Sequence, residues 1–600
     1  MKKTDLAFGA ALTGLLVFSM TFTHSCANTT QAPTGGPKDT IPPVLVGAEP
    51  GIGTVGFPVK GGKILLAFDE YVTIKNEKNI FLSPPLAKKP KSRLRGKAVE
   101  ISFEEDLKPN TTYNLSLVNA IADNNEGNMF PGVNFVFSTG ESFDSLMISG
   151  TVRDCKNLNP VADATVMLYK DHGDSALFLG RPDAAARTDE YGFFVVPYLK
   201  DTLYRLYAIK DEASNNIYDP DVDLVAFADS LVRPATVVSD TLPELQAYDP
   251  RDTLGLLARR SEYELLLFRE KPTKQYIQDS KRVDRYKAYV KFQAPFAWVD
   301  SIWISGYGKG SVITQFNDYQ DSLEIWLNTR KRTPDTMKVN VQYRKTDSLG
   351  ILKPDFETLR LTVEGESAAS KYKKVSKRDL KHEDTICVST LKVEPETFAR
   401  DGFRLEFKYP LINADFGKAE FKYVNPKQKE FPAKFRVEPD SRDVRIIRLI
   451  PETEPQEGND YILKIKEGAF RDITGFRSDS LEAKTALPKD DKLSTLRLEI
   501  TGVEGKHLVE ILDEKLSKTL RSEFITSDST LEFKYMKAGK YAIRFTSDIN
   551  DNNLVDTGSV LEHRQPEKVR FCKFGGSNAM IIAESAEVEQ KVDLQELFGQ

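Results

Sequence analysis

This 600-residue chain is constrained most by a repeated short alternation of apolar and polar residues, interrupted every eight to twelve residues by Asn, Gly, Asp or Pro. Segments 63–72, 97–103 and 112–118 show the pattern clearly. Successive side chains of a strand point to opposite faces, so a period of two indicates a strand with one buried and one hydrated face. Because sustained helical periods are almost absent, the pattern predicts an all-β chain of tandem β-sandwiches.

Length and composition limit the class of protein. At about 150 residues per domain the chain predicts about four domains, and its 40% hydrophobic and 28% charged residues are typical of globular proteins. The formal net charge is -5, so no overall positive field draws the chain to nucleic acid. We therefore expect no nucleic-acid partner.

The N-terminus indicates export. Two lysines precede the apolar run 7–22, which is too short for a stable membrane span and is typical of a signal peptide over residues 1–25. A serine followed by Cys26 resembles the lipobox of bacterial lipoproteins. This resemblance implies a diacylglycerol and a fatty acid on Cys26; ordinary cleavage near it is the alternative. Residues 26–40, rich in Pro, Gly, Thr and Asn, are predicted to be a flexible tether.

Two pairs of segments share one rhythm. Residues 110–127 and 458–475 carry Tyr, Leu, Asp and Gly in corresponding places, and 63–72 has a counterpart in 403–412. A repeat of this length predicts two domains of one kind.

The first of these domains resembles a known family. The motifs IPPVLVGAEP, FDEYV, NTTYNL, IADNNEGN and FVFSTG resemble those of the SbsA-type Ig-like domain found in exported lipoproteins of the Bacteroidota. The resemblance implies an Ig-like β-sandwich at 41–140, and the repeat implies a second at 385–487. It also implies an outer-membrane location, on either the periplasmic or the surface face.

The remaining segments also predict sandwiches. Residues 145–250, with ISGTVRD, RTDEYGFFVVPYL and YRLYAIKD, resemble the carboxypeptidase-regulatory-like or prealbumin-like β-sandwich, as do residues 490–600. This resemblance implies non-catalytic modules. Residues 258–365 contain the strand candidates YELLLF, AYVKF, SLEIWL and MKVNVQY and predict a β-sandwich of a family that the motifs do not identify. The basic segment 366–384 predicts an exposed linker, with an anionic partner as the alternative.

The reactive residues favour a non-catalytic protein. No G-x-S-x-G, P-loop or G-x-G-x-x-G signature occurs in the expected context. The histidines that follow Cys26 are too far apart for a zinc motif: His172, His382, His507 and His563. The remaining thiols predict no disulfide framework and are expected to be inert and buried: Cys155, Cys387 and Cys572. A glycosidase needs only two facing carboxylates, so that alternative stays open.

The segment SDINDNNLVDTG is a candidate calcium loop, because oxygen ligands recur at alternating positions. Position 12 of the loop holds Ser559 rather than the usual Glu. The alternative is an Asx-rich loop whose side chains cap their own backbone. The candidate ligands are Asp548, Asn550, Asn552, Leu554 and Asp556.

A weaker version of this loop follows the strand YRLYAIKD, with Asp211, Asn215 and Asp219 at positions 1, 5 and 9. There Ala213 replaces a ligand, so self-capping is favoured.

The three tryptophans, Trp298, Trp303 and Trp326, all fall in the segment 258–365. Large aromatics usually belong to a core. Exposed on one sheet face, they would instead stack on sugar rings or anchor a protein partner.

Together these features predict a non-catalytic, outer-membrane-anchored lipoprotein that serves as a multidomain scaffold or protein-binding component. We expect the membrane as a partner through the lipid, and a protein partner such as an outer-membrane β-barrel or an envelope-assembly complex. A surface glycan-binding or adhesive lipoprotein is the alternative, and a cryptic glycosidase is the third.

Overall fold

A computed structural model describes residues 39–211, 217–220, 222–237, 262–329, 333–363, 386–488 and 493–599. The predicted signal peptide (1–25), most of the predicted tether and the predicted basic linker (366–384) lie outside the described residues. The described residues form five β-sandwiches, each with two sheets packed over an apolar core. The prediction of an all-β fold of tandem Ig-like and prealbumin-like sandwiches is confirmed. The described residues divide into two compact units: residues 39–145 form the first, and the described residues from Leu146 onward form the second.

The first unit contains the first sandwich. Its strands are β1 (Leu45–Glu49), β2 (Lys63–Phe68), β3 (Val72–Ile74), β4 (Phe81–Ser83), β5 (Lys91–Arg95), β6 (Ala98–Ser102), β7 (Thr112–Ser116), β8 (Ile121–Asp123) and β9 (Asn134–Ser138). The sheet β1-β2-β6-β5 packs against β4-β7-β9, and β3 pairs with β8. Ile64, Leu66 and Phe68 are buried, as their alternation predicts.

The second sandwich includes a strand that lies far along the chain. Its strands are β10 (Leu146–Asp154), β11 (Thr165–Tyr169), β12 (Ala184–Arg187), β13 (Phe193–Leu199), β14 (Arg205–Lys210), β15 (Leu224–Phe227), β16 (Thr236–Val237) and β17 (Tyr263–Leu267). One sheet is β12-β11-β14-β15. In the other, β10 pairs with β13 and β16, and β17 pairs with β10 in parallel.

The placement of β17 corrects one prediction. The motif YELLLF belongs to the second sandwich and not to the segment 258–365, because it hydrogen-bonds to β10 and its Leu265 and Leu267 enter that core. The two strands approach closely at Gly150, where an added Cβ atom would lie 2.2 Å from the Tyr263 carbonyl oxygen. Only glycine allows this approach.

The third sandwich carries all three tryptophans. Its strands are β18 (Ile277–Arg282), β19 (Lys287–Phe292), β20 (Val299–Ile304), β21 (Val312–Phe316), β22 (Ser322–Leu327), β23 (Thr336–Thr346) and β24 (Leu352–Thr362). The sheet β18-β19-β22-β21 packs against the sheet β20-β23-β24.

The fourth sandwich repeats the topology of the first. Its strands are β25 (Ser389–Val393), β26 (Phe403–Phe407), β27 (Leu411–Ala414), β28 (Ala419–Val424), β29 (Glu430–Pro432), β30 (Phe435–Pro439), β31 (Ile446–Pro451), β32 (Asp460–Ile465), β33 (Phe470–Asp472) and β34 (Leu481–Ala486). The sheets are β25-β26-β31-β30 and β29-β28-β32-β34, with β27 paired to β33. Apart from the added β29, each strand has an equivalent in β1–β9.

The fifth sandwich repeats the topology of the second. Its strands are β35 (Ser494–Thr501), β36 (Lys506–Asp513), β37 (Thr519–Ile525), β38 (Ser529–Met536), β39 (Gly539–Asp548), β40 (Val569–Phe571), β41 (Met580–Ile582) and β42 (Glu587–Asp593). The sheet β38-β35-β42 corresponds to β13-β10-β17, because β42 pairs with β35 in parallel. The order β37-β36-β39-β40 corresponds to β12-β11-β14-β15.

The α-helices of the described residues are short and lie outside the sheets: α1 (Ala176–Leu179), α2 (Phe398–Asp401) and α3 (Leu594–Phe598). Within the described ranges, none has the length and apolarity that crossing a bilayer requires.

Candidate functional site

The outer face of the sheet β20-β23-β24 is the candidate binding site. Residues paired across antiparallel strands share a face. Trp303 pairs with Asn340, and the next pair along, Ser301 and Gln342, continues to Phe356 on β24. The opposite face, which carries Val341, packs in the core.

Aromatic rings dominate this outer face. The Trp303 and Phe356 rings stack with centroids 5.6 Å apart and planes 24° from parallel, and Phe356 is 52% exposed. Trp298, which immediately precedes β20, is 65% exposed, and its carbonyl oxygen accepts a hydrogen bond from the Arg344 N–H. We call Trp298, Trp303, Gln342, Arg344 and Phe356 the aromatic face.

Polar groups of the aromatic face are held in place by neighbours. The Arg344 guanidinium carbon lies 5.2 Å from the centroid of the Trp298 ring, which is within cation–π range, and its Nε lies 3.5 Å from a carboxylate oxygen of Asp300. The Ser301 hydroxyl donates a 3.1 Å hydrogen bond to Gln342 Oε1. This bond leaves the Gln342 amide nitrogen pointing to no hydrogen-bond acceptor among the described residues. The face therefore presents stacked rings, a cation and an amide donor.

The sequence singles out Trp298 and Trp303 but not Phe356, Gln342 or Arg344. On β24 the buried Leu361 and half-buried Leu359 follow one phase of the alternation, whereas Phe356 follows the other. A period-two pattern does not tell which of two apolar phases faces solvent. The sequence alone therefore does not identify Phe356 as the stacking partner of Trp303; the register of the paired strands does.

Trp326 has a different environment. It is 0% exposed and forms an apolar cluster with Tyr409 and Ile473 of the fourth sandwich. The Arg445 guanidinium carbon and the Lys287 ammonium lie 5.4 Å and 5.8 Å from its ring. Trp326 therefore joins the third and fourth sandwiches and is inaccessible to an external ligand, which corrects its inclusion among the candidate binding residues.

The candidate calcium loop is closed by its own side chains. Asn550 and Asn552 each donate a side-chain N–H to Asp556 Oδ2, at 2.7 Å. Asp548 accepts the backbone N–H groups of Asn552 and Asn553. The side-chain oxygen of Asn552 accepts the N–H of Leu554. The structure thus brings the predicted ligands together as a network of Asx hydrogen bonds, and calcium binding stays a prediction.

Two lysines form ion pairs with the carboxylates of this loop. Lys271 Nζ lies 2.7 Å from Asp556 Oδ1, and Lys506 Nζ lies 3.8 Å from Asp548 Oδ2. Burial raises the pKa of Asp556, but the hydrogen bonds from Lys271 and the two Asn amides outweigh it, so its pKa lies below the usual value. Burial and nearby carboxylates raise the pKa of Glu567, despite two backbone N–H donors. Within the described ranges, no three His, Cys, Asp or Glu side chains are grouped to hold a metal.

The weaker loop is only partly described. Asn215 and Ala213 lie outside the described residues. The backbone N–H of Asp219 donates a 3.0 Å hydrogen bond to Asp223 Oδ2. Cys26 also lies outside the described residues, so its lipidation stays a prediction.

The three described cysteines are buried and unpaired by disulfides. Burial raises the pKa of Cys155 to about 11 and the pKa of Cys387 and Cys572 to about 12. Because the thiolate is the nucleophile, these thiols are poorly suited to catalysis at neutral pH.

Comparison with known proteins identifies the fold of the first sandwich. Residues 39–139 match the family described as bacterial Ig-like domain. No curated protein gives a significant match.

Three solved structures illustrate the likeness of the chain to known folds. An L,D-transpeptidase from Mycobacterium smegmatis is 14% identical, with a TM-score of 0.12, over 28% of this chain and 76% of that chain. A native alpha-2-macroglobulin fragment from Escherichia coli is 13% identical, with a TM-score of 0.14, over 33% and 71%. Domains 1–6 of the surface layer protein SbsC are 9% identical, with a TM-score of 0.14, over 90% and 67%.

Proposed function

We propose that the protein is a non-catalytic outer-membrane lipoprotein that acts as a multidomain scaffold and binds a protein partner of the cell envelope. The aromatic face carries the proposal, because Trp298 and Phe356 expose large rings on a sheet whose opposite side packs in the core. Exposed aromatic residues are enriched at surfaces that bind partners. We propose an outer-membrane β-barrel or envelope-assembly complex as the partner class.

The anchor is the second part of the proposal. The apolar run 7–22 and the lipobox-like Cys26 support lipidation. We expect Cys26→Ser to move the protein from the membrane fraction to the soluble fraction, and protease treatment of intact cells to tell the surface face from the periplasmic face. Retention of the serine variant in the membrane would contradict the anchor.

Crosslinked pull-down of the native lipoprotein, with its Cys26 anchor intact, tests partner binding. We expect the double variant Trp298→Ala/Phe356→Ala to lose the crosslinked partner. Ile581→Ala in the fifth sandwich is the matched control, because Ile581 is also an exposed apolar residue, at 72%. Equal recovery of the partner by all three proteins would remove the aromatic face from the proposal.

Glycan binding is the second candidate, and the shared face of Trp298 and Trp303 favours it. The C–H bonds of a sugar ring pack well on the electron-rich face of an indole. Affinity electrophoresis in gels that contain polysaccharides tests this candidate. Retardation of the wild type that Trp298→Ala abolishes supports it, whereas equal mobility with and without polysaccharide excludes it.

Calcium binding at the loop 548–556 is a separate proposal. It requires the Asn550 and Asn552 amides to turn their oxygens toward the ion and Lys271 to leave Asp556. We expect calcium to raise the melting temperature of the wild type more than that of Asp556→Asn. Identical melting curves in calcium and in chelator would contradict calcium binding at this loop.

A further inference from the structure

Cations lie within the aromatic face and beside it. On β23 and β24 the outward positions include Arg344 and the cross-strand pair Lys338 and Arg360. No Asp or Glu occupies an outward position of these two strands. Asp300, at the start of β20, lies 3.5 Å from Arg344 Nε and pairs with it. This local positive charge stands out on a chain with a net charge of -5.

Lys338 and Arg360 have no charged partner within the described part of the chain. Both side chains are exposed, and neither forms an ion pair or a side-chain hydrogen bond within the described part of the chain. By contrast, Lys353 at the start of β24 lies 2.6 Å from Asp347. Two facing cations without a counter-ion create a position at which a negative group of a ligand is favoured.

Rings and charges occupy successive rows along the β23 strand. From the row of Arg344 to the row of Lys338, the β23 strand advances six residues, or about 20 Å at about 3.4 Å per residue. The rings of Trp298, Phe356 and Trp303 occupy the first rows, and the Lys338–Arg360 pair occupies the last. A linear polymer of sugar rings that carries repeated negative charges matches this order.

We infer that the aromatic face, extended by Lys338 and Arg360, binds an acidic polysaccharide whose sugar rings stack on the aromatic rings and whose carboxylates pair with the cations. The inference rests on the glycan-binding candidate and specifies its ligand class. The Gln342 amide nitrogen supplies a donor for a sugar hydroxyl.

An acidic peptide is the competing ligand, and the geometry favours the polysaccharide. Extended peptides usually join a sheet at the backbone edge of an outer strand. Here the cations and the rings project from the face of the sheet, and the rings lie in separate rows rather than around one pocket. Such a surface matches the successive sugar rings of a polymer better than a single buried side chain.

Affinity electrophoresis with two probes tests the inference: polygalacturonate, which is acidic, and dextran, which is neutral. We expect the wild-type protein to be retarded by polygalacturonate, and Lys338→Ser/Arg360→Ser to bind it about fivefold more weakly, since exposed ion pairs contribute modestly. The matched control is Lys427→Ser/Lys429→Ser, which removes two exposed charges from the fourth sandwich. Added salt should weaken retention of the wild type more than that of the face variant.

The outcomes separate the ligand class from glycan binding itself. If polygalacturonate retards the Lys338/Arg360 variant as strongly as the wild type, the charge inference is overturned. If dextran alone retards the wild type and Trp298→Ala abolishes this, glycan binding stands and the acidic ligand is wrong. If neither polymer retards the protein but an acidic peptide binds it, both fail. Because all four substituted side chains are exposed, unchanged melting curves are expected for both double variants.

Discussion

At the scale of single residues, Asp123 and Asp472 occupy equivalent positions in two sandwiches, yet their pKa values shift in opposite directions. They end the equivalent strands β8 and β33, and each pairs with the short strand across from it. Asp123 accepts four backbone N–H bonds, from residues 125–128. Burial raises the pKa of Asp123, but these donors outweigh it and its pKa lies below the usual value.

At Asp472 the balance is reversed. Burial raises its pKa above the usual value, and hydrogen bonds from Thr474 and the Cys387 thiol only partly offset the effect. The two sandwiches share one topology, so the local balance between burial and hydrogen-bond donors around each carboxylate decides the sign of the shift.

We expect Asp123→Asn to loosen the turn at 125–128 in the first sandwich. The Asn128 N–H donates a 2.8 Å hydrogen bond to Asp123 Oδ2. In the variant the asparagine NH2 group, which is a donor, would take the place of one of the two acceptor oxygens, so at least one backbone N–H would lose its acceptor. Hydrogen exchange of peptides that cover this turn should become several-fold faster at neutral pH. Asp472→Asn is the comparison and should change exchange in its own turn less, because its ionised form is disfavoured by burial.

The pH dependence of Asp123 follows from its lowered pKa. Its contribution is fully present above the unfolded value, about 3.9, and is lost as the pH falls through the lower folded value. The stability difference between the wild type and Asp123→Asn should therefore shrink in acid. A difference that stays constant from neutral to strongly acidic pH would show that the carboxylate charge is not involved.

At the scale of elements, parallel strands close the second and fifth sandwiches. β17 pairs with β10 over five residues, and β42 pairs with β35 over seven. Parallel pairing requires a long connection between the strands. In the second sandwich that connection spans 155–262 and carries the other strands of the same sandwich.

We expect Leu265→Ala to destabilise the second sandwich by about 2–5 kcal/mol, because Leu265 is buried in its core and truncation leaves a cavity. Leu266→Ala, on the same strand but on its half-buried side, is the matched control and should cost less. Urea denaturation, followed by exchange of β10 peptides, measures both. Equal effects of the two variants would contradict the assignment of β17 to this core.

The strands were more predictable than their pairing. AYVKF, SLEIWL and MKVNVQY fall on β19, β22 and β23, because each carries its own alternation. The location of β17 was not predictable, because nothing in five residues specifies a parallel partner more than 100 residues upstream. At the candidate site, Trp298 is exposed, whereas Trp326 is buried by residues of the fourth sandwich. The sequence around each tryptophan does not contain this difference, because it depends on distant segments.

At the scale of the second unit, the segment after β17 joins three sandwiches. Lys271 Nζ contacts Asp556 of the fifth sandwich and lies 4.7 Å from the Tyr319 ring centroid of the third. Beside it, the Thr557 hydroxyl donates to the Arg269 carbonyl oxygen, and the Val560 N–H donates to Glu270 Oε1.

Close packing supports these polar contacts. An added Cβ atom at Gly558 would lie 2.5 Å from the Phe268 ring, so the loop of the fifth sandwich rests directly on the second. Residues 269–271 and 556–560 are nearly 300 positions apart, and neither segment alone predicts the other. The candidate calcium loop and the residues that follow it therefore have a structural role between sandwiches.

We expect Lys271→Met, which keeps the apolar stem but removes the charge, to loosen this junction. Lys271 and Asp556 side chains are 29% and 12% exposed, so the loss lies between the values for surface and buried pairs, at about 1–2 kcal/mol. This corresponds to about 5- to 30-fold faster hydrogen exchange of peptides that cover 549–567. Lys591→Met, which breaks the more exposed pair with Glu499 in the same sandwich, is the control.

Acid should have the same effect as this substitution, because the pKa of Asp556 lies below its usual value. The contribution of Asp556 is complete above the unfolded pKa, about 3.9, and is lost as the pH falls through the folded value. Exchange of the 549–567 peptides, corrected for the intrinsic rate at each pH, should therefore accelerate in acid for the wild type and less so for Lys271→Met. If the two proteins exchange alike at neutral pH, the ion pair does not hold the junction, and the packing of Gly558 on Phe268 is left as its main support.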